Sequence, residues 1–176
     1  MSVFADSSAL VKLYVPEDGY EQVRRLPAPL LVSALARAEV TAALWRKQRT
    51  GEVDLDDVLL LIRAFAADYA GTPDAPPRFR IVEVTDTAIE RAADLTGTHG
   101  LRAYDAVQLA CALAVRAVDK GRTMLASFDH ELIRAAAAEG FAVLPGQNTE
   151  PPPAAETTDA ETTESQPDPP PMPQGM

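Results

Sequence analysis

Short apolar runs alternate along this chain with longer stretches in which apolar residues recur at helical spacing. Val3 and Phe4 begin a buried strand over residues 2–6, and Ser7 and Ser8 offer N-caps for a helix over 9–14 that Pro16 ends. A short helix over 17–26 lies before Pro27 and Pro29, and residues 30–32 read as a second strand. Ser33 caps a long helix over 34–49, closed by Gly51. Asp54 begins a further helix to about Tyr69, with Leu55, Val58, Leu59, Ile62 and Phe65 on one side. Pro73, Pro76 and Pro77 mark a loop. Residues 79–84 alternate as a strand, and Thr85 opens a helix to about Thr96. Gly97 and Gly100 separate it from a helix that ends near Lys120 and Gly121. A strand over 123–126, a helix over 129–139 stopped by Gly140, and a strand over 141–144 complete the pattern.

Strands that alternate with helices, and that are apolar throughout, predict a parallel sheet covered on both faces. The helix after Gly100 carries one exception to its own pattern. Its apolar face runs Leu101, Leu109 and Leu113 with Ala106 and Ala110 beside them, and Asp105 lies four residues from both Leu101 and Leu109. A carboxylate on a face meant for burial needs a cation or donors to answer it. A core aspartate satisfied by a hydroxyl, backbone or Arg102 would meet that need as well as a functional one.

Composition divides the chain in two. Hydrophobic residues make up 47% of it and the formal net charge is −10. From Gln147 onward Glu150, Glu156, Asp159, Glu161, Glu164 and Asp168 stand without any Lys or Arg, among eight of the fifteen prolines. The reading is one globular domain over residues 1–146 and a disordered acidic, Pro-rich tail over 147–176. The single cysteine, Cys111, excludes an intrachain disulfide and reads as core filling. No stretch reaches the length of a membrane span, and no basic leader precedes an apolar run, so the expectation is a soluble cytoplasmic protein without a membrane partner. The acidic average argues against a protein that simply coats nucleic acid, but not against an enzyme that meets a phosphodiester at a metal.

Four acids are predicted to approach one edge. Ligand sites in open α/β sheets lie outside the carboxyl ends of the strands. Asp6 ends the first strand and Asp129 follows the fourth, while Asp105 and Glu39 stand in the opening turns of helices that begin near the same edge. Glu39, four residues after Leu35 and four before Ala43, repeats the Asp105 anomaly. Asp6 and Asp129 would also serve as N-caps, and Glu39 would also pair with Arg37 or Arg46. Like charges gathered closely repel, and a divalent cation resolves the conflict; an all-oxygen donor set selects Mg²⁺ or Mn²⁺. His99 and His130, the only histidines, have no zinc-ligand spacing.

These residues resemble PIN-domain ribonucleases, in particular the VapC-type toxins of bacterial toxin–antitoxin pairs. The resemblance rests on Phe4-Ala5-Asp6-Ser7-Ser8-Ala9-Leu10, Glu39, Leu101-Arg102-Ala103-Tyr104-Asp105-Ala106-Val107-Gln108-Leu109-Ala110 and Leu125-Ala126-Ser127-Phe128-Asp129. It covers Val3 to about Leu144; Ser127 stands where the family more often has Thr, and the tail lies outside the pattern. It implies a three-layer α/β/α PIN-like domain with a central parallel sheet and Mg²⁺-dependent endoribonuclease activity in which Mn²⁺ can substitute. It also implies a homodimer and inhibition by a cognate antitoxin. Carried over, Asp6 and Asp105 are the principal metal ligands, Glu39 and Asp129 complete the acidic site, and Ser7 and Ser127 hold carboxylates or water. Arg37 and Arg102, beside these residues in sequence, are the candidates for RNA binding. Two other classes stay open: a catalytically silent PIN module that acts by binding a partner, and an aspartyl-phosphate phosphatase or receiver. A dehalogenase-like phosphatase wants a second Asp where Ser8 stands, and neither a phosphatase nor a receiver uses Glu39 or Asp105.

Overall fold

The computed structural model describes residues 2–119 and 123–145. Their elements run β1 (Ser2–Ala5), α1 (Ser7–Val11), α2 (Tyr20–Arg24), β2 (Leu30–Ser33), α3 (Ala36–Arg49) and α4 (Leu55–Ala70). Then come β3 (Phe79–Val82), α5 (Asp86–His99), α6 (Ala103–Val118), β4 (Thr123–Ala126), α7 (His130–Ala138) and β5 (Ala142–Leu144). The expected tail and the end of the α6 connection fall outside the described residues.

The five strands form one parallel sheet in the order β3-β2-β1-β4-β5. From β1 the chain steps through β2 to β3 in one direction, and the later strands β4 and β5 lie on the other side of β1. Parallel crossovers are right-handed, so reversing the direction of travel puts the connecting helices on the opposite face. Alternation along the strands serves both layers: Val3 and Ala5 pack with α1, α3 and α4, while Phe4 packs with α5, α6 and α7. Cys111 is fully buried in the second layer, and burial pushes its thiol up to about 11, which leaves it inert core filling.

Order reversal leaves a crevice at the carboxyl ends of β1 and β4, the topological switch point where ligand sites form in such sheets. Asp6 and Ser127 are the residues next after those two strands, and the ladder continues through them, with Asp6 N donating to Ala126 O (3.0 Å) and Ser127 N to Leu144 O (2.9 Å).

Several local expectations are corrected. Helix α1 begins at Ser7, not Ala9, because its N-cap is Asp6, whose side chain accepts from Ala9 N. Ser33 does not cap α3: it stays in β2, paired with Val82, and Leu35 occupies the N-cap position. Gly97 lies inside α5, and Gly100, in the left-handed region at φ 69°, ends that helix. On α4, Val58 and Phe65 are buried as the pattern requires, but Leu55 and Leu59 are exposed.

One glycine connects the loop after α1 to the switch point. Gly19 has φ 84°, and a Cβ there would overlap the ring of Phe128, which stands between Ser127 and Asp129. Gly19→Ala therefore meets both backbone strain and a steric clash, and should lose about 1–3 kcal/mol in chemical denaturation. Wild-type stability in that variant would mean that the loop and Phe128 are not packed together in solution.

Candidate functional site

A cavity of about 300 Å³ opens at the switch point, and Asp6, Glu39, Asp105 and Asp129 all line it. Strand ends and helix starts bring them there. Asp6 is buried at 5% exposure, and its Oδ1 accepts from Ser8 Oγ (2.8 Å) and Ala9 N (3.1 Å). Asp129 caps α7, its Oδ1 accepting from Leu132 N (2.9 Å). Capping and membership of the acidic cluster, opposed readings from sequence alone, are both true of these two residues. Glu39 lies in the first turn of α3 and pairs with neither Arg37 nor Arg46 through a salt bridge among the described residues; instead its Oε2 accepts from Ser7 Oγ and from Gln108 Nε2.

Asp105 is different. It lies in the first turn of α6, half-buried, and among the described residues no protein donor reaches its carboxylate. The satisfied core aspartate that the sequence left open is therefore not what the fold contains. Burial raises its pKa above the ordinary value, and the charges of Asp129 and Glu39 raise it further against a smaller opposing effect of Arg102. Asp6 is pushed up to about 6 by burial, which outweighs the hydrogen bonds from Ser8, from the Ala9 and Ser8 amides and from Ser127. Both shifts say that the protein alone under-compensates the negative charge it has gathered.

Serines tie the acidic edge together. Ser7 holds Glu39, and Ser8 holds Asp6 while accepting from Phe128 N (2.7 Å). Ser127 is fully buried and accepts from Asp129 N (3.0 Å), fixing the start of α7. Sequence reasoning assigned supporting roles to Ser7 and Ser127 and passed over Ser8 and Gln108. Gln108 is 1% exposed, donates to Ser7 Oγ (3.2 Å) as well as Glu39, and leaves its Oε1 without a partner among the described residues. Its spacing was the available signal: a residue three after Asp105 shares that residue's helix face.

Arg37 and Arg102 do not line the cavity. Arg37 is exposed with its guanidinium 5.7 Å from the Tyr69 ring centre, and Arg102 is exposed at the N-cap of α6. The cations that do line it are Lys12, Arg46 and Lys47.

The donor set fits a hard divalent cation. It is made of oxygens, its charges repel one another, and one carboxylate lacks a protein donor among the described residues. It is not a finished cage: among the described residues no three carboxylate, imidazole or thiol groups are already gathered as metal ligands. Also among the described residues, no helix is long and apolar enough to cross a membrane.

Comparison with known proteins gives the lineage of this arrangement. The PIN domain family matches residues 3–138. Ribonuclease VapC45 of Mycobacterium tuberculosis (strain CDC 1551 / Oshkosh) is 36% identical over 148 residues, which is 82% of this chain and 96% of that protein. Ribonuclease VapC49 of Mycobacterium tuberculosis (strain ATCC 25618 / H37Rv) matches with the same identity and coverage. Among solved structures, PAE2754 from Pyrobaculum aerophilum superposes with a TM-score of 0.53 at 21% identity, over 81% of this chain and 83% of that one, a likeness of fold. With the family matching the acidic edge and nearly all of the sheet, and relatives this similar along almost their whole length, the chain belongs to the PIN-domain family as a VapC-type member.

Proposed function

We propose that this protein is a Mg²⁺-dependent endoribonuclease, the toxin of a toxin–antitoxin pair, acting in the cytoplasm and restrained by a cognate antitoxin. The observation that carries the reading is Asp105: a half-buried carboxylate, raised by burial and then by its acidic neighbours, that no described protein donor answers. Its relatives bear the name ribonuclease, and PIN-domain ribonucleases are generally divalent-metal dependent. The choice of Mg²⁺, with Mn²⁺ able to replace it, follows from oxygen-only donors. Homodimerisation belongs to the same reading, as an expectation from the family.

In this mechanism Asp6 and Asp105 hold the ion, which when bound supplies Lewis acidity to water and to the phosphoryl group. Asp6 is set for that task by its cap, which fixes the carboxylate from one side through Ser8 Oγ and Ala9 N. Glu39, clamped by Ser7 and Gln108, orients the attacking water and takes up its proton. Asp129, fixed by the Leu132 amide, completes the negative edge. Attack at phosphorus then breaks the bond to the leaving 3′-oxygen. A silent binding module would have no use for this clamp on Glu39.

Cleavage of a labelled RNA should require Mg²⁺ or Mn²⁺ and stop in EDTA, and Asp105→Asn should slow it at least about a hundredfold, the scale on which charge-stabilising groups act. Full activity in excess EDTA, or near wild-type turnover by the purified variant, would refute the assignment.

Asp6 yields a second test, without RNA. Its folded value of about 6 lies above the ordinary 3.8. The metal-free fold therefore carries no penalty from Asp6 below about pH 4 and an increasing one as pH rises through about 6, reaching about 3 kcal/mol at most. Asn keeps the Oδ1 that caps α1 but cannot ionise. Asp6→Asn should thus melt above wild type in EDTA at pH 8 and level with it near pH 4. Mg²⁺ should stabilise the wild type at pH 8 far more than the variant. A variant that melts lower than wild type at pH 8 in EDTA would make Asp6 a structural residue only.

The acidic tail contributes to neither step in this reading. Truncation after Gly146 should leave cleavage rate and melting temperature unchanged, or raise the rate slightly at low salt, where screening is least. Loss of cleavage on truncation would place part of the machinery beyond that boundary.

A further inference from the structure

The cavity has a second wall, and its chemistry is opposite to the first. Lys12 closes the end of α1 and Lys47 lies in the last turns of α3; their side chains are only 10% and 14% exposed. Glu17, from the loop after α1, joins them: Lys12 Nζ stands 2.9 Å from its Oε1 and Lys47 Nζ 2.6 Å from its Oε2. Lys12 Nζ also lies 4.3 Å from the centre of the Phe128 ring, and Lys47 Nζ makes a further pair with Glu52 at 2.9 Å. Burial alone would raise Glu17, but hydrogen bonds from Lys47 and Lys12 overcome it and hold the carboxyl below the ordinary range. Burial opposes the charge on Lys47 in the same way, and its hydrogen bonds to Glu17 and Glu52 overcome that and raise the ammonium above its ordinary range.

Holding two ammonium groups this far out of water is costly unless something uses them. A hydrophobic wall would stabilise the domain as well. The acids explain the need. A polyanion approaching four carboxylates is repelled, and one divalent ion offsets only part of that charge. Ammonium groups on the facing wall, though paired with Glu17 and Glu52, supply donors to the strand where it must pass. The ammonium groups also keep capacity for a ligand. Each has three donors; among the described residues Glu17 is the only hydrogen-bonded acceptor of the Lys12 ammonium, and Glu17 and Glu52 are the only carboxylates paired with that of Lys47. On α3, Glu39, Ala43 and Lys47 follow at intervals of four, one stripe of the helix facing the cavity, so Lys47 stands about 12 Å along the axis from Glu39. Both side chains nevertheless line one cavity, which puts a phosphate held by Lys47 beside the acids.

We infer that Lys12 and Lys47, bridged by Glu17, form a seat for an RNA backbone phosphate adjacent to the scissile one. The inference rests on the ribonuclease reading and gives it residues for substrate binding that the acidic edge lacks. Glu17 is a positioning residue: it holds both ammonium groups in the cavity before RNA arrives, and the phosphate takes the remaining donors. Gly19 and Phe128 support the seat, since the ring beneath Lys12 packs where only a glycine leaves room.

The test is binding of a fluorescent single-stranded RNA to the full chain in the Asp105→Asn background with Mg²⁺, followed by anisotropy over a series of salt concentrations. Each phosphate contact steepens the dependence of log affinity on log salt by about 0.7 for a single strand. Lys12→Gln and Lys47→Gln should each flatten the slope, the double variant by about that amount, and weaken binding at low salt. Lys47→Arg should retain it, and Arg91→Gln, which removes a cation of α5 paired with Glu139 at the end of α7, should leave it unchanged. Unchanged slopes in folded Lys12→Gln and Lys47→Gln proteins, with only their melting temperatures lowered, would overturn the seat and leave a structural ion-pair chain. Should Lys12→Gln fail to fold, Lys47→Gln decides alone. RNA binding by the Asp105→Asn parent and cleavage by the wild type, with flat lysine effects, would reject this inference only, whereas a parent that does not bind RNA together with a wild type that does not cleave it would reject the functional reading as well.

Discussion

Everything at the switch point depends on the burial of one carboxylate. Asp6 follows the central strand of the sheet, at the place where the chain's two directions of travel diverge, and it is 5% exposed. An ionised group there must be answered, and the fold answers it only in part: Ser8 Oγ and two amides engage it, yet burial still pushes it up to about 6. The neighbouring acids add to the deficit instead of relieving it, as the raised Asp105 shows. A cation at this site would remove a cost the protein already bears, so in the proposed reading the residual charge is the source of affinity.

The helix caps make that strain tolerable. A capping aspartate has one oxygen committed to a backbone amide, and its position is fixed by the start of a helix that is itself packed on the sheet. Asp6 and Asp129 are held this way, and Glu39 is held instead by Ser7 and Gln108 from two other elements. Asp105 alone is left with no donor among the described residues. Three anchored acids and one unanswered one make an arrangement in which an arriving ion meets little reorganisation, which is the condition for electrostatic stabilisation to act during a reaction.

Much of this was legible in the sequence because it is local. The strand over 123–126 and the alternation of elements came from apolar runs, and the acids stood out because each broke an apolar pattern or ended a strand. What was not legible is where two local preferences competed for one group. Ser33 looks like a helix cap, but pairing with Val82 keeps its backbone in the sheet and α3 starts later. Ser7 and Ser8 look like caps for α1, but their hydroxyls go to Glu39 and Asp6, and the aspartate caps in their place. Leu55 and Leu59 lie on the apolar side of α4, which periodicity predicts; whether anything covers that side is not a property of the helix.

The cationic wall shows the same limit from the other direction. Closeness in sequence to the acids points to Arg37 and Arg102, yet Arg37, two residues from Glu39, faces another side of its helix, and Arg102 stands exposed at the N-cap of α6, outside the cavity lining. Lys47 is eight residues from Glu39 and shares its stripe; Lys12 is four from Ser8 and shares that one. Helical periodicity, which found the acids by their intrusion into apolar faces, also places these lysines beside them. Nothing in the sequence joins the two lysines to each other, since Glu17 reaches Lys47 only through the fold. A chain with formal net charge −10 can therefore receive a polyanion without a basic surface. What it needs is two cations facing one set of acids across a narrow cavity, where low exposure weakens the screening that would cancel them elsewhere.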